Sequence, residues 1–399
     1  MSNGHSYRQY MFHSASRIIA GQNSIYELVH QLKGLGEVRS ALIITGSHIR
    51  GLGFIDEINS LCSQAGISTQ VLVGVMPEPT ADNIETLFQT IRHEKFDVLI
   101  GIGGGSVLDA TKMLSVMATN GADIKAFIGT DRVPRRGIPT VLIPTTSGTG
   151  SEVTPNAIVT LPEEQLKLGI VSPYLLPQLA ILDPVLTLNL PKPITAATGM
   201  DAFTHAFESF ISNKANLFSN MFALESIRLI SQSMLTAYHE GSCLEAREHM
   251  LVGSMFGGMA LTCAGTAAVH ALAYPLGGKF NIPHGVANSM LLPHVTQFNL
   301  DAISDRLGEV AKAMNLTGAS ASHPGSAANA ELVISRIMQW TKELEIPQDL
   351  TAYGVQESDV ASLAESASKV TRLLNNNPKA MEVKDMENVY RKLLPQKHG

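Results

Sequence analysis

Cysteine is scarce in this chain. Cys62, Cys243 and Cys263 are odd in number and lack metal-type spacing, so a reducing compartment suits them better than a disulfide framework. Charge is sparse as well. Charged residues make up 16% of the chain and the net charge is −6, which leaves no basic surplus for nucleic acid or an anionic membrane. Arg132, Arg135 and Arg136 form only a short cluster that reads as a solvated loop. Met1 to Tyr10 is polar and lacks the apolar core of a signal peptide. The most apolar stretch, Ser254 to Gly278, carries Thr262, Thr266, His270 and several glycines, and so fits a packed interior helix rather than a bilayer span. The absences together describe a soluble, cytoplasmic protein with neither nucleic acid nor membrane as a partner. What is abundant is apolar side chain, 45% of 399 residues, enough for two hydrophobic cores.

The first half alternates β-branched runs with amphipathic stretches. Ala41–Thr45, Thr69–Val73, Asp97–Ile100 and Thr140–Ile143 read as buried strands. Ile55–Ala65, Asp82–His93 and Val107–Ala118 carry helical spacing between them. Such alternation argues for a Rossmann-like α/β domain with a parallel sheet, placed here at residues 1–187. Leu182–Pro193 holds three prolines and reads as a connector. Beyond it, Phe203–Ser212, Asn220–His239, Ala246–Leu272, Ser304–Met314, Ala330–Leu344, Asp359–Ala367 and Lys384–Leu394 read as helices, punctuated at His323-Pro324-Gly325 and Asn375-Asn-Asn-Pro378. Residues 188–399 are therefore expected to form an all-helical domain.

Two kinds of motif carry chemistry. Asp201 and His205 are four apart and share a helix face; His270, in an apolar segment, and His284, in an expected Pro283-His284-Gly285 loop, could join them. One carboxylate with three imidazoles suits Fe²⁺ or Zn²⁺. Spacing alone balances that metal site evenly against a surface pair and a core histidine. The other motif is glycine-rich. Gly101-Ile-Gly103-Gly104-Gly105-Ser106 runs from a strand into a helix, where backbone N–H groups face an approaching phosphate. It is not the GxGxxG fingerprint, and no Walker lysine follows. A second loop, Pro144 to Ser151, offers Thr145, Thr146 and Thr149 for phosphate or ribose, though it reads equally as a turn with helix-capping residues. The sheet would hold a dinucleotide and the helices a metal, with a cleft between them.

These segments resemble the iron-containing (group III) alcohol dehydrogenase family over nearly the whole chain. The matching pieces are Gly103-Gly-Gly-Ser-Val-Leu-Asp-Ala-Thr-Lys112, Pro144-Thr-Thr-Ser-Gly-Thr-Gly-Ser-Glu-Val-Thr154, Thr198-Gly-Met-Asp-Ala-Phe-Thr-His-Ala-Phe-Glu208, Val269-His270 and Gly277 through Val286. The resemblance implies a Rossmann-like domain followed by an all-helical one. It implies metal-dependent hydride transfer between nicotinamide C4 of NAD(P)(H) and a small or medium alcohol or aldehyde held at the metal. By position, Asp201, His205, His270 and His284 are similar to the family's metal ligands, with Fe²⁺ expected and Zn²⁺ tolerated. Gly103, Gly104, Gly105, Ser106, Asp109, Thr145, Thr146, Thr149 and Lys167 fall among its coenzyme contacts, and Asn156 on its substrate side. A homodimer or larger homo-oligomer is expected from the same resemblance.

Two departures stand out. Many relatives end the strand equivalent to Ala41–Thr45 in Thr-Asp, whose acid binds the adenosine ribose; here the sequence is Thr45-Gly46-Ser47-His48. Loss of that carboxylate removes repulsion toward a 2′-phosphate, and Ser47, His48 or Arg50 supply donors, so NADP(H) is expected to be accepted. The second is Tyr274, where many relatives carry a histidine near the nicotinamide. It either takes part in proton transfer or only shapes the pocket, with equal weight. Phe256, Met259, Leu261 and Leu373 offer an apolar wall, at a spacing equally typical of core. No arginine pair is clearly placed to clamp an anion, and only Lys279 lies among the His270–His284 pieces. The rival readings are a hydroxyacid-oxoacid transhydrogenase, a dehydroquinate-synthase-like lyase that recycles NAD, and a catalytically silent scaffold.

Overall fold

The computed structural model describes residues 9–51, 53–121, 123–164, 166–316 and 327–395. The His323-Pro324-Gly325 punctuation and the polar stretch through Arg8 lie outside these residues. Among the described residues there are nine strands: β1 (Ile18–Ala20), β2 (Ser40–Thr45), β3 (Ser68–Val73), β4 (Val98–Gly103), β5 (Gly129–Thr130), β6 (Thr140–Pro144), β7 (Asn156–Leu161), β8 (Leu166–Val171) and β9 (Leu179–Leu182). Early helices are α1 (Leu28–Leu32), α2 (Ser47–Arg50), α3 (Phe54–Gln64), α4 (Ala81–Ile91) and α5 (Gly105–Asn120). The later ones are α6 (Lys192–Ile211), α7 (Leu217–His239), α8 (Leu244–Ala264), α9 (Ala268–Phe280), α10 (His284–Ala313), α11 (Ala327–Glu343), α12 (Val360–Ser368), α13 (Thr371–Leu374) and α14 (Val383–Arg391).

Six strands form one parallel sheet in the order β1-β9-β6-β4-β2-β3. Apolar residues on both faces explain why β2 and β4 read as continuous hydrophobic runs. From β2 the chain steps outward to β3, then returns to the other side of β2 as β4. The carboxyl ends of β2 and β4 therefore flank the point where strand order reverses, which is where open α/β sheets accept ligands. Gly46-Ser47 and Gly103–Ser106 follow those two ends directly.

The strands expected from sequence are present as β2, β3, β4 and β6, and the predominance of helix after Leu182 is as expected. Four details differ. A small second sheet, β5-β8-β7, contains an antiparallel β7–β8 hairpin that was not anticipated. The connector expected at Leu182–Pro193 is shorter, because α6 begins at Lys192 with Pro193 in its first turn, where the missing N–H costs nothing. The single helix expected over Ala246–Leu272 is two, α8 and α9, bent by 107° at Gly265, whose φ of +71 a side chain would strain. His284 is not in a loop: it opens the 30-residue helix α10. Gly285 obscured that start, and packing demands it, since a Cβ there would lie 2.2 Å from the Ala197 carbonyl oxygen. No single helix among the described residues is long and apolar enough to cross a membrane.

The two halves meet through backbone. Gly150, at φ +60, follows β6, and a Cβ on it would sit 2.6 Å from Cα of Gly258 in α8. Neither backbone is a flexible side-chain end that can swing away. Gly150→Ala or Gly258→Ala is expected to cost about 1–3 kcal/mol through overpacking, read as a fall of several degrees in Tm against wild type. An unchanged Tm for both variants would show that the seam yields.

Candidate functional site

Every residue of α6 from Gly199 to Ile211 is buried, as expected for a helix packed on all sides. The ionisable side chains of this buried stretch, Asp201, His205 and Glu208, follow i, i+4, i+7 spacing and so share one face. His270 approaches from the first turn of α9 and His284 from the first residue of α10. One donor atom from each of Asp201, His205, His270 and His284 lies within 4.8 Å of all the others. Asp201 Oδ1 is 3.9 Å from His270 Nε2 and 3.8 Å from His284 Nε2. The His205 and His270 rings stack at 4.7 Å between centroids.

Hydrogen bonds fix which ring nitrogens face inward. The Gly148 carbonyl can only accept, so His205 Nδ1, at 3.2 Å, carries its proton and leaves Nε2 free. His270 Nδ1 donates to Glu208 Oε2 at 2.6 Å, which frees its Nε2 likewise. Burial holds the His205 ring below the usual imidazole range despite Asp201 beside it. His284 is pushed down to about 3, again by burial first, with Lys167 adding to the effect. Burial opposes ionisation of Asp201, but the three imidazoles and the Asn288 amide outweigh it and hold the carboxyl below its ordinary value. Neutral imidazoles around an ionised carboxylate are the donor forms that Fe²⁺ or Zn²⁺ requires. The residues fit a divalent ion.

Sequence reasoning missed two supporting residues. Glu208, 1% exposed, accepts from His270 and also from the backbone N–H of Ala267 (3.0 Å) and Val269 (2.7 Å), thereby capping α9. Its signal was the i+7 position after Asp201. Asn288, fully buried one turn after His284, donates from Nδ2 to Asp201 Oδ1 at 2.7 Å and lies 3.2 Å from Nε2 of both His270 and His284.

A cavity of about 450 Å³ opens from this cluster toward the sheet. Gly105, Ser106, Asp109, Thr149, Asn156 and Lys167 line it from the sheet side, and His205, His270, Tyr274 and His284 from the helical side. Gly46, Ser47, Gly103, Gly104, Thr145 and Thr146 do not line it. Thr145 is buried and donates its N–H to the Gly103 carbonyl at 2.9 Å, so the two loops brace each other. Thr146 packs on Gly104, and Thr149 on Gly105, where a Cβ would come within 2.5 Å of the threonine methyl. Ser47 is exposed at the start of α2, and the His48 side chain lies outside the described residues.

Several expected contacts are already engaged within the protein. Asp109 accepts from Ser151 Oγ at 2.5 Å and from the Ile158 N–H at 2.9 Å, which makes it a brace between α5 and β7. Lys167 Nζ pairs with Glu78 at 2.7 Å, and the same Glu78 oxygen accepts the His284 N–H at 3.2 Å. Asn156 accepts from the buried Lys112 Nζ at 2.7 Å through its backbone carbonyl, not its side chain. Burial lowers Lys112 to about 8, and burial raises its neighbour Glu152 to about 7. Of the suggested apolar wall only Leu261 reaches the cavity; Met259 belongs to the buried cluster that includes Val153, Phe256 stacks with Phe222, and Leu373 lies in the helical core. Lys279 pairs with Asp359 and does not line the cavity.

Comparison with known proteins adds the following. Residues 15–184 match the iron-containing alcohol dehydrogenase family, and residues 195–394 match the C-terminal part of the Fe-containing alcohol dehydrogenase family. The long-chain-alcohol dehydrogenase 1 of Geobacillus thermodenitrificans is 37% identical over 373 residues, 93% of each chain. The crystal structure of 1,3-propanediol oxidoreductase superposes with a TM-score of 0.91 at 35% identity, covering 97% of this chain and 100% of that one. Sulfoacetaldehyde reductase from Bifidobacterium kashiwanohense, solved in complex with NAD⁺, superposes at 0.87 with 26% identity, covering 98% and 100%.

Glu208→Gln tests the carboxylate that orients His270. It keeps the shape and removes the charge, so metal affinity measured by chelator competition is expected to fall about 10–100-fold. Affinity within twofold of wild type, at unchanged Tm, would make Glu208 a helix cap alone.

Proposed function

The chain belongs to the iron-containing alcohol dehydrogenase family, and from that premise we propose that it reduces small or medium aldehydes, and oxidises the matching alcohols, with NADP(H) and a divalent metal. The observation that carries this reading is the convergence of Asp201, His205, His270 and His284 at one end of a cavity whose other side is built from the phosphate-type loops after β4 and β6. Residues up to about Thr187 serve the coenzyme and those beyond it serve the metal and substrate.

A divalent ion in this donor set supplies Lewis acidity, and the nicotinamide supplies or accepts hydride. The protein's own contribution is orientation. Gly148 and Glu208 hold two imidazoles with their Nε2 atoms inward, and Asn288 steadies one oxygen of Asp201. The N-terminus of α5 presents free N–H groups at Gly105 and Ser106 to the coenzyme phosphates. At the carboxyl end of β2, Gly46 and Ser47 place no acid against a ribose 2′-phosphate, and Arg50 follows in α2. Iron is favoured as the ion, with zinc accepted by the same donors.

Tyr274 lies one turn beyond His270, its ring centroid 6.1 Å from that of His284. Burial raises its hydroxyl above the ordinary tyrosine value, although Arg372 works in the opposite direction. A phenol in that state donates a hydrogen bond at neutral pH and is a poor base. Its role is therefore to orient the substrate and fill space.

The screen follows NADPH oxidation over an aldehyde and ketone panel, with metal-depleted protein restored by Fe²⁺ or Zn²⁺. Turnover of simple aldehydes that depends on added metal is expected; full activity after metal removal would defeat the proposal. NADPH is expected to match or exceed NADH, and a kcat/KM at least tenfold higher with NADH would refute the coenzyme assignment. For Tyr274→Phe, kcat is expected to fall while its pH profile keeps both limbs. Loss of one limb would instead identify Tyr274 as the proton carrier.

A further inference from the structure

The cavity contains more charge than the proposed chemistry uses, and the surplus has one sign. Its acids are committed. Glu78 pairs with Lys167, Asp109 is held by Ser151 and the Ile158 N–H, and Asp201 belongs to the ligand set. Glu208, behind the cavity, is taken by His270 and the α9 backbone. The cations are not all committed. Arg372 and Lys214 both line the cavity, both are exposed, and among the described residues neither is paired with a carboxylate.

Arg372 is also placed with some care. It sits on α13, which packs against α9, the helix that carries Tyr274, and its positive charge opposes the burial-driven rise of that hydroxyl's pKa. On its other side is Gly169 of β8; a Cβ there would come within 3.3 Å of Nη2. The guanidinium thus spans the cleft from the helical half to the hairpin, and the missing side chain at position 169 admits it. Tyr274 lines the same cavity, and its ring centroid lies 6.1 Å from that of His284 at the metal end. A guanidinium has five N–H donors in a planar fork, which suits a planar or tetrahedral anion. Lys214, between α6 and α7, adds a second positive charge at the same opening.

We propose that Arg372, assisted by Lys214, recognises an anionic substituent on the substrate, so that the aldehydes this chain handles best carry a carboxylate or sulfonate a few carbons from the reacting carbonyl. The inference rests on the alcohol dehydrogenase reading above and narrows its substrate class. With the carbonyl at the metal end and the anion on Arg372, the chain between them is fixed at both ends, which orients the reacting carbon toward the nicotinamide. The coenzyme's own phosphates belong to the loops after β4 and β6, on the sheet side of the cavity.

The test compares butanal with 4-oxobutanoate, equal in chain length and different in charge, at saturating NADPH. Wild-type protein is expected to show at least tenfold higher kcat/KM for 4-oxobutanoate, with the preference shrinking as ionic strength rises. Arg372→Gln is expected to lower that ratio at least tenfold, mainly through KM, and Arg372→Lys to restore part of it. A wild-type ratio of one or less, or a ratio that Arg372→Gln leaves unchanged, overturns the inference. An Arg372→Gln protein whose KM for NADPH rises while the aldehyde ratio stays constant assigns the guanidinium to the coenzyme, and overturns it too. Failure of both aldehydes to oxidise NADPH, with metal bound, is a different result: it is the alcohol dehydrogenase reading itself that falls.

Discussion

The carboxylate of Glu208 is the interaction on which the rest of this site depends. A helix that turns sharply out of another exposes N–H groups at its start, and inside a protein those donors must find acceptors. The bend between α8 and α9 creates such a start in a dry interior, and Glu208 accepts two of its donors. The same oxygen that takes the Ala267 N–H also receives the His270 ring proton. Secondary structure and chemistry are therefore set by one group. Without an acceptor at this place the bend is unfavourable, and without the bend His270 does not reach α6.

A comparable economy holds on the other side of the cleft. The loop from Pro144 to Ser151 was read from sequence as a coenzyme contact, and its threonines do cover the glycines that open α5. Its Gly148 carbonyl also fixes the tautomer of His205, while Gly150 meets Gly258 of α8 backbone to backbone. A displacement of this loop by a phosphate would be felt at His205 directly. The loop thus joins the two halves mechanically as well as forming part of the cavity wall.

Legibility in the sequence followed how local the cause was. β2 and β4 announce themselves because both faces are buried, so the hydrophobic run is continuous. The set Asp201, His205, His270 and His284 was assembled from residue chemistry and family likeness, and the structure brings those side chains together. What escaped notice depended on distant partners. The break at Gly265 follows from a positive φ and from the closeness of Asn376, whose Nδ2 would be 2.5 Å from a Cβ there. The start of α10 was hidden because Gly285 is a poor helix former, kept by contact with Ala197. Arg372 gave no motif at all, since its place is defined by Tyr274, nearly a hundred positions away, and by an absent side chain at Gly169. Glu208 lay within the quoted motif, yet its role required knowing which backbone ends beside it.

Charge balance explains why the donor set takes this composition. Burial keeps His205 and His284 neutral, so the imidazoles bring affinity without charge. A dication surrounded only by neutral donors in a low-dielectric interior would stand uncompensated, which is costly. Asp201 offsets one unit directly. Glu208 would offset a second through the His270 ring to which it is hydrogen-bonded. Two carboxylates against the two positive charges of a bound divalent ion would leave the metal end near neutrality, and Glu78 balances Lys167 in the same way. What remains without a carboxylate partner in the cavity lining, among the described residues, is the positive charge of Arg372 and Lys214, both of them exposed.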